Sequence, residues 1–273
     1  IFLPGEATKV VPIELLGDNA VESDDTVSLS FADGIFGSVN PTATLAILND
    51  DVSNLPQELL SISSDASFAD KAEPGDTVSV LATFSDPNPT DTHTATIVWG
   101  DGSTSTGTVN QSTGEITGDH VYLTGGIFDV SVTIDDGLAT DDGTTTAVVS
   151  GVRLTHDGVL QIIGTDNRDR VHVKQQGSNV RVKLKHGNGA TQQHLVAAGS
   201  VASLLLHTCV GNDHIHLHHN ISLPTVIDAG AGRDEIIGGS GDTDIIGKIY
   251  DGAGNLVRDS FKLNQARFFD DEK

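Results

Sequence analysis

The sequence predicts an all-β protein, and three observations carry that expectation. No stretch sustains a helical period, whereas apolar residues alternate with polar ones over Val78-Val80-Ala82-Phe84, Phe128-Val130-Val132-Ile134 and Val180-Val182-Leu184. Gly, Asp-Gly and Pro clusters interrupt these runs at short intervals, as turns between strands do. Ile227, Ile236 and Ile245 then recur every nine residues, with Gly230/Gly239 and Gly232/Gly241 keeping the same step. These runs divide the chain at Asp50–Pro56 and Val149–Arg153 into segments 1–52, 53–152 and 153–273. The expected order is a partial β-sandwich, a second β-sandwich, and a parallel β-roll region with β-rich flanks.

Composition narrows the function. The 273 residues contain no Met and one Cys, so Ile1 is not a natural start and no disulfide forms within the chain. The chain reads as a fragment or a processed form. No apolar run approaches the roughly 20 residues of a membrane span, and no signal peptide is visible. Residues 1–150 hold 24 Asp and Glu against Lys9 and Lys71, a net charge of −22, whereas residues 151–273 are nearly balanced at −1. Carboxylates at that density repel nucleic acid and attract multivalent cations.

In the first segment, Pro4-Gly5-Glu6 precedes an alternating strand. Asp18, the run Glu22–Ser30 and the closing Ala46–Asp51 follow. These residues resemble the C-terminal half of a Calx-β domain, a resemblance that implies calcium ligation by acidic residues such as Asp24, Asp25, Asp50 and Asp51. A solvated acidic linker is the alternative for Asp50-Asp51.

In the second segment, Ala95, Ile97 and Trp99 alternate into Asp101-Gly102, a tight-turn pair. The alternation makes Trp99 a core anchor; a sugar-stacking surface with Tyr122 is the other reading. Trp99-Gly100-Asp101-Gly102-Ser103, His120-Val121-Tyr122, Ala72–Asp76 and Asp135-Asp136-Gly137 together resemble a PKD domain, which implies an immunoglobulin-like sandwich.

In the third segment, Gly158–Thr165 and Asp169 lead into repeats that begin at Val210–Ile215. The nine-residue pattern of two glycines, a carboxylate and an aliphatic resembles hemolysin-type (RTX) calcium-binding repeats. Glycines let such turns coil tightly, and carboxylate and turn carbonyl oxygens suit a hard cation. Turns on one side of such a roll recur about every 18 residues, and Asp213 and Asp234 are 21 apart. Placing the three extra residues in Leu217–His219 stacks Gly211-Asn212-Asp213 on Gly230-Ala231-Gly232-Arg233-Asp234. A calcium site is expected between those turns, with a structural turn lacking an ion as the alternative. The opposite side is degenerate, because Thr243 occupies the aspartate slot of Gly238–Ile246. The turn that this unit would stack on, Asn220–Thr225, has no glycine or acid.

Other chemistry is sparse. His214, His216 and His218 alternate on one strand and could hold zinc, copper or nickel, or simply form a polar face. Arg170, His172 and Lys174 face Arg181, Lys183 and Lys185 across an expected hairpin at Gln176–Asn179. That outer face suits an acidic polysaccharide, the acidic half of a neighbouring copy, or plain solvent. Gly238-Gly239-Ser240-Gly241 misses the nucleophile-elbow spacing, and no Ser or Cys has a motif partner. Gly252-Ala253-Gly254 reads as a hairpin turn that precedes no helix.

The expectation is therefore a non-enzymatic, calcium-binding segment of a large secreted or cell-surface bacterial protein, used as a stiff spacer in adhesion. The accessory C-terminal region of a secreted hydrolase and a glycan-binding module are the alternatives.

Overall fold

The computed structural model describes residues 25–30, 42–47, 54–241, 243–250, 256–263 and 267–269. They form β-strands and one 3-10 turn, Ala198–Ser200, with no α-helix among them. The chain divides into two compact units, Ile1–Leu55 and Pro56–Lys273. In the first, β1 (Asp25–Ser30) pairs antiparallel with β2 (Thr42–Ile47), Asp25 standing opposite Ile47. Asp24, Asp50 and Asp51 lie outside the described residues, as do Pro4–Glu6 and Asp18.

The second unit begins with a sandwich of seven antiparallel strands: β3 (Glu58–Ser64), β4 (Thr77–Ser85), β5 (Thr94–Val98), β6 (Thr104–Asn110), β7 (Glu115–Val121), β8 (Gly126–Asp135) and β9 (Thr140–Val149). They are hydrogen-bonded in the order β3-β4-β7-β6-β5-β8-β9. Strand β6 turns the corner: Thr104–Gly107 pair with β5, and Thr108–Asn110 with β7. Alternation supplies the core. Val78, Val80, Ala82 and Phe84 point inward from β4, and Phe128, Val130, Val132 and Ile134 from β8. Trp99 is 1% exposed, and its indole N–H donates to Ser105 Oγ at 2.9 Å. Tyr122, also 1% exposed, donates its hydroxyl to Trp99 O at 2.8 Å, and burial holds that phenol above its usual range. Both rings are core anchors, so the sugar-stacking alternative is excluded. Gly100 (φ +74°) makes the expected turn possible, because a Cβ there would meet Asp129 O at 2.4 Å.

The rest is a two-sheet roll. Its strands are β10 (Gly151–Leu154), β11 (Val159–Ile163), β12 (Arg170–Gln176), β13 (Asn179–Lys185), β14 (Thr191–Ala197), β15 (Ser203–His207), β16 (His214–Leu217), β17 (Thr225–Asp228), β18 (Glu235–Ile237), β19 (Thr243–Tyr250), β20 (Leu256–Leu263) and β21 (Arg267–Phe269). Strands β11, β15, β17 and β19 stack in parallel register through Ile162, Leu206, Ile227 and Ile245. Facing them, β12, β16 and β18 stack through Val171, Ile215 and Ile236. Ile162, Leu206, Ile227, Val171, Ile215 and Ile236, with Val173, Leu217 and Leu204, meet between the sheets. The nine-residue step is thus the step from one sheet to the other, Ile236 to Ile245. Hairpin β13–β14 extends one sheet at its edge, and antiparallel β10, β20 and β21 flank the parallel strands. The turn Gly252–Gly254 lies outside the described residues, between antiparallel partners β19 and β20.

The sandwich and the roll meet without a linker: only Ser150 separates β9 from β10. Arg153 donates to Ile127 O at 2.8 Å and to Gly100 O at 2.7 Å, and its guanidinium carbon lies 4.1 Å from the Phe128 ring centre. Gln161 Oε1 accepts from Ile127 N at 2.9 Å, Lys71 pairs with Asp166 at 2.7 Å, and Phe68 packs edge-on against His207. Gly125 lets the two backbones close, since a Cβ there would lie 2.3 Å from Gly151 Cα.

Candidate functional site

Between the two sheets, one side of the roll is built from three turns of equal length, 164–169, 208–213 and 229–234. Each ends in an aspartate, and the three aspartates stack. Asp213 Oδ1 accepts from Asp169 N at 2.7 Å, and Asp234 Oδ1 accepts from Asp213 N at 2.8 Å. Asp169 Oδ2 caps the series by accepting from Thr165 N at 2.6 Å, and His186 Nδ1 lies 3.3 Å from its other oxygen. All three residues are buried: Asp169 is 0% exposed, and Asp213 and Asp234 are 2%. Backbone bonds between turns add to the stack, Ala231 N donating to Cys209 O at 3.0 Å and Gly211 N to Ala231 O at 2.9 Å.

The glycines are required by this closeness. A Cβ at Gly230 would lie 1.5 Å from Cys209 O, and one at Gly232 would lie 1.6 Å from Gly211 O. Gly211 sits against Asn167 O in the same way. Gly230 (φ +78°) occupies the left-handed position that Cys209 (φ +71°) holds one turn earlier. Asn212 Oδ1 accepts from Arg233 N at 2.9 Å. The residues expected at the site, Gly211, Asn212, Asp213, Gly230, Gly232 and Asp234, are therefore brought together. The three extra residues fall on the far side: Ile215 and Ile227 are twelve apart across the turn 218–224, against nine for Ile236 and Ile245. Ser240 N and Gly241 N both donate to Ile221 O, so those two turns also stack. Thr243 opens β19 opposite Thr225.

The electrostatics of the stack are unfavourable to an uncompensated charge. Burial above all, together with the neighbouring Asp234 and Asp169, pushes the Asp213 carboxyl up to about 7, although the Asp169 amide pulls it down. Asp213 Oδ2 is buried with no hydrogen-bond partner, the Thr208 hydroxyl being turned to Ala229 O at 3.2 Å. A hollow of about 290 Å³ opens beside the turns 208–213 and 229–234, lined by Asn212, Asp213, Asp234 and Glu235 together with Arg168, Arg233 and His214. A buried carboxylate oxygen and an all-oxygen donor set fit a hard divalent cation. The Asp213 and Asp234 carboxylates would supply the ligation, beside the Asn212 amide oxygen, which also accepts from Arg233 N. Arg168 and Arg233, which line the same hollow, oppose it.

Sequence reasoning missed two groupings. Asp169 belongs to the same series, but the β13–β14 hairpin puts it 44 residues before Asp213 and hides the period. Its signal is the triplet Asn167-Arg168-Asp169, which matches Gly211-Asn212-Asp213 and Gly232-Arg233-Asp234. In the sandwich, the half-buried carboxylates of Asp86, Asp91 and Asp136 lie within 4.8 Å of one another. Two of them are already engaged: Asp86 with Asn88 N at 2.6 Å and with His93 at 2.7 Å, and Asp136 with Leu138 N and Ala139 N.

The histidine strand forms as expected, with Ile215 and Leu217 buried and His214, His216 and His218 on the outer face. His172 joins them, its ring centre 5.7 Å from that of His214 and 5.6 Å from that of His216. Their nitrogens do not converge on a common point as the Asp86 group does.

No protein-family model and no curated protein matches the chain. Among solved structures, it is similar to the PKD domain of an M14-like peptidase from a Thermoplasmatales archaeon, at 24% identity and a TM-score of 0.30 over 36% of this chain and 98% of that one. It is also similar to the PKD domain of the human VPS10 domain-containing receptor SorCS2, at 23% identity and a TM-score of 0.30 over 45% of this chain and 96% of that one. No helix among the described residues is long and apolar enough to cross a membrane.

Proposed function

We propose that this chain is a non-catalytic, stiff spacer within a secreted or cell-surface protein, its roll steadied by calcium at the Asp213 and Asp234 turns. The joint between sandwich and roll carries this reading. A spacer needs modules that do not swing, and here a one-residue connection is clamped by Arg153, Gln161 and the Lys71–Asp166 pair. Inter-domain contacts are usually loose enough to permit motion, so a glycine-tight joint with a half-buried guanidinium is a specific investment in rigidity.

Calcium supplies charge compensation in this reading. Asp213 and Asp234 hold it through carboxylate oxygens, Asn212 adds an amide oxygen, and Gly230 and Gly232 keep the turns close enough for both aspartates to reach. Extracellular modules bind calcium with Kd of about 10⁻⁴–10⁻³ M. A tenfold excess over Kd contributes about 1.4 kcal/mol, a rise in Tm of roughly 3–6 °C for a unit of this size. Calorimetric melting of the whole chain in calcium and in EDTA is the test. A rise in calcium that Asp234→Asn abolishes supports the reading; superimposable melts overturn the calcium role. Small-angle scattering tests the spacer role, which a flexible distribution of distances between sandwich and roll would refute.

A further inference from the structure

The outer face of the sheet β14-β13-β12-β16-β18 carries a charge pattern that the spacer role does not use. On the antiparallel pair β12–β13, Arg170 stands opposite Lys185, His172 opposite Lys183 and Lys174 opposite Arg181. Like charges placed directly across a strand pair destabilise it, and here three consecutive cross-strand positions carry basic residues. Strand β16 continues the face with His214 beside Arg170 and His216 beside His172. The one carboxylate facing these groups from β18 is Glu235, 3.0 Å from His214 Nδ1. Strand β14 contributes Thr191, Gln193 and Leu195, and Gln193 accepts from Arg181 at 2.6 Å. Among the described residues, Arg170, Lys174, Arg181, Lys183 and Lys185 form no ion pair. Acids were available to this chain, which has a net charge of −23; on these strands only Glu235 was placed among the bases, and it is engaged by His214.

We propose that this face binds a linear acidic polysaccharide through its carboxylate or sulfate groups. The geometry suits a polymer. Adjacent strands hold the cations in rows spaced by the inter-strand distance of about 4.8 Å, and a hollow of about 320 Å³ lined by His172, Lys174, Arg181 and Lys183 opens between them. Guanidinium and ammonium groups give short, charge-assisted bonds to such anions. A protein partner needs a desolvated apolar centre with aromatic or aliphatic anchors, and among the described residues Leu195, 64% exposed, is the large exposed hydrophobic of this face. That disfavours a second copy, despite its acidic sandwich. Nucleic acid is disfavoured by the 24 carboxylates of residues 1–150.

The imidazoles add a pH dependence of definite sign. His172 titrates below the ordinary range, first through burial and then through His214, His216, Lys183 and Arg170; His216 does so through burial, His214 and His218, against an opposing pull from Glu235. A bound polyanion favours their charged forms, so affinity rises as pH falls. The groups facing them are Arg170 and Lys174 on β12, Arg181, Lys183 and Lys185 on β13, His214 and His218 on β16, and Glu235 on β18.

The experiment titrates the 273-residue chain, in EDTA so that calcium plays no part, with dextran sulfate, polyglucuronate, neutral dextran and duplex DNA. Binding to one or both acidic polysaccharides and not to neutral dextran is expected. It should weaken at least tenfold in R181E/K183E, survive in R181K/K183R, strengthen from pH 7 to pH 5, and vanish near 0.5 M salt, where the screening length is roughly 4 Å. Dextran sulfate against polyglucuronate separates sulfate from carboxylate recognition. Equal binding to neutral dextran, no binding to either acidic polymer, or unchanged binding by R181E/K183E overturns the proposal. DNA binding as tight as that of the polysaccharides overturns it in favour of a general polyanion surface. Sedimentation of the chain alone gives the last arm: self-association lost in R181E/K183E, without polysaccharide binding, would assign the face to a second copy.

Discussion

Asp213 holds a carboxyl where a carboxylate is costly, and its two oxygens have opposite fates. Oδ1 is a structural acceptor for Asp169 N, while Oδ2 is buried without a hydrogen bond. Asparagine keeps an acceptor for the amide and removes the charge. Asp213→Asn is therefore expected to melt at or above the wild-type temperature in EDTA and to lose the calcium-induced rise. Asp213→Ala leaves the Asp169 amide unpaired and should cost about 1–3 kcal/mol, read by denaturant unfolding in EDTA. A second residue-scale prediction concerns His207, whose Nδ1 lies 3.1 Å from Asp228. Burial opposes its charge, but Asp228 and Cys209 outweigh burial and lift it to about 9. A raised folded-state value means that the contribution is complete below the unfolded value of about 6.5 and is lost as pH rises through 9. The melting temperature should fall between pH 7 and pH 10, and His207→Gln, which can still donate to Asp228, should flatten that fall.

At the scale of the element, the turns show which glycines the fold needs. Gly230→Ala would drive a Cβ into Cys209 O, whereas Gly177, also left-handed at φ +61°, has nothing within 4 Å. Gly177→Ala should cost only the left-handed penalty of about 1 kcal/mol, and Gly230→Ala several times that; chemical denaturation of both variants checks the ratio. The strands were largely legible, because alternation reports one-sided burial: Val78 to Phe84, Phe128 to Ile134 and Val180 to Leu184 all face a core. Stacking of the Asp213 and Asp234 turns was legible too, once three residues were assigned to the far side. Asp169 was not legible, because a hairpin inserted between consecutive coils erases a period without disturbing the stack. Asp86, Asp91 and Asp136 escaped for a related reason: a loop and a hairpin distant in sequence bring them together, and no local pattern records that.

For the whole molecule, the joint decides how the unit behaves. Arg153 reaches from the roll to two carbonyls and a ring of the sandwich, so Pro56–Lys273 should unfold in one calorimetric transition. Arg153→Leu leaves Gly100 O and Ile127 O without that donor, and is expected to split the transition in two; a single unshifted peak in the variant would show that the joint is not coupling the modules. The sequence placed a break at Val149–Arg153, where β9 gives way to β10, but carried no sign of rigidity there. Rigidity there depends on a guanidinium crossing the boundary and on two glycines, Gly125 and Gly151, whose contact no pattern in the chain announces.

The two sides of the roll also differ in what they tolerate. Turns on the aspartate side have six residues every time, at 164–169, 208–213 and 229–234. Those on the far side run from five residues at 238–242 to seven at 218–224, and to a complete hairpin between β12 and β15. Length is thus policed on one side and free on the other, because the amide-to-carboxylate series closes only when each turn arrives in step. New sequence can enter at the exposed His219, outside the packed Ile221 and Leu223, whereas one added residue at Asn212 would put every later coil out of step. The far side is where such a roll can acquire new surfaces, and the β13–β14 hairpin with its basic rows has the form of one such acquisition.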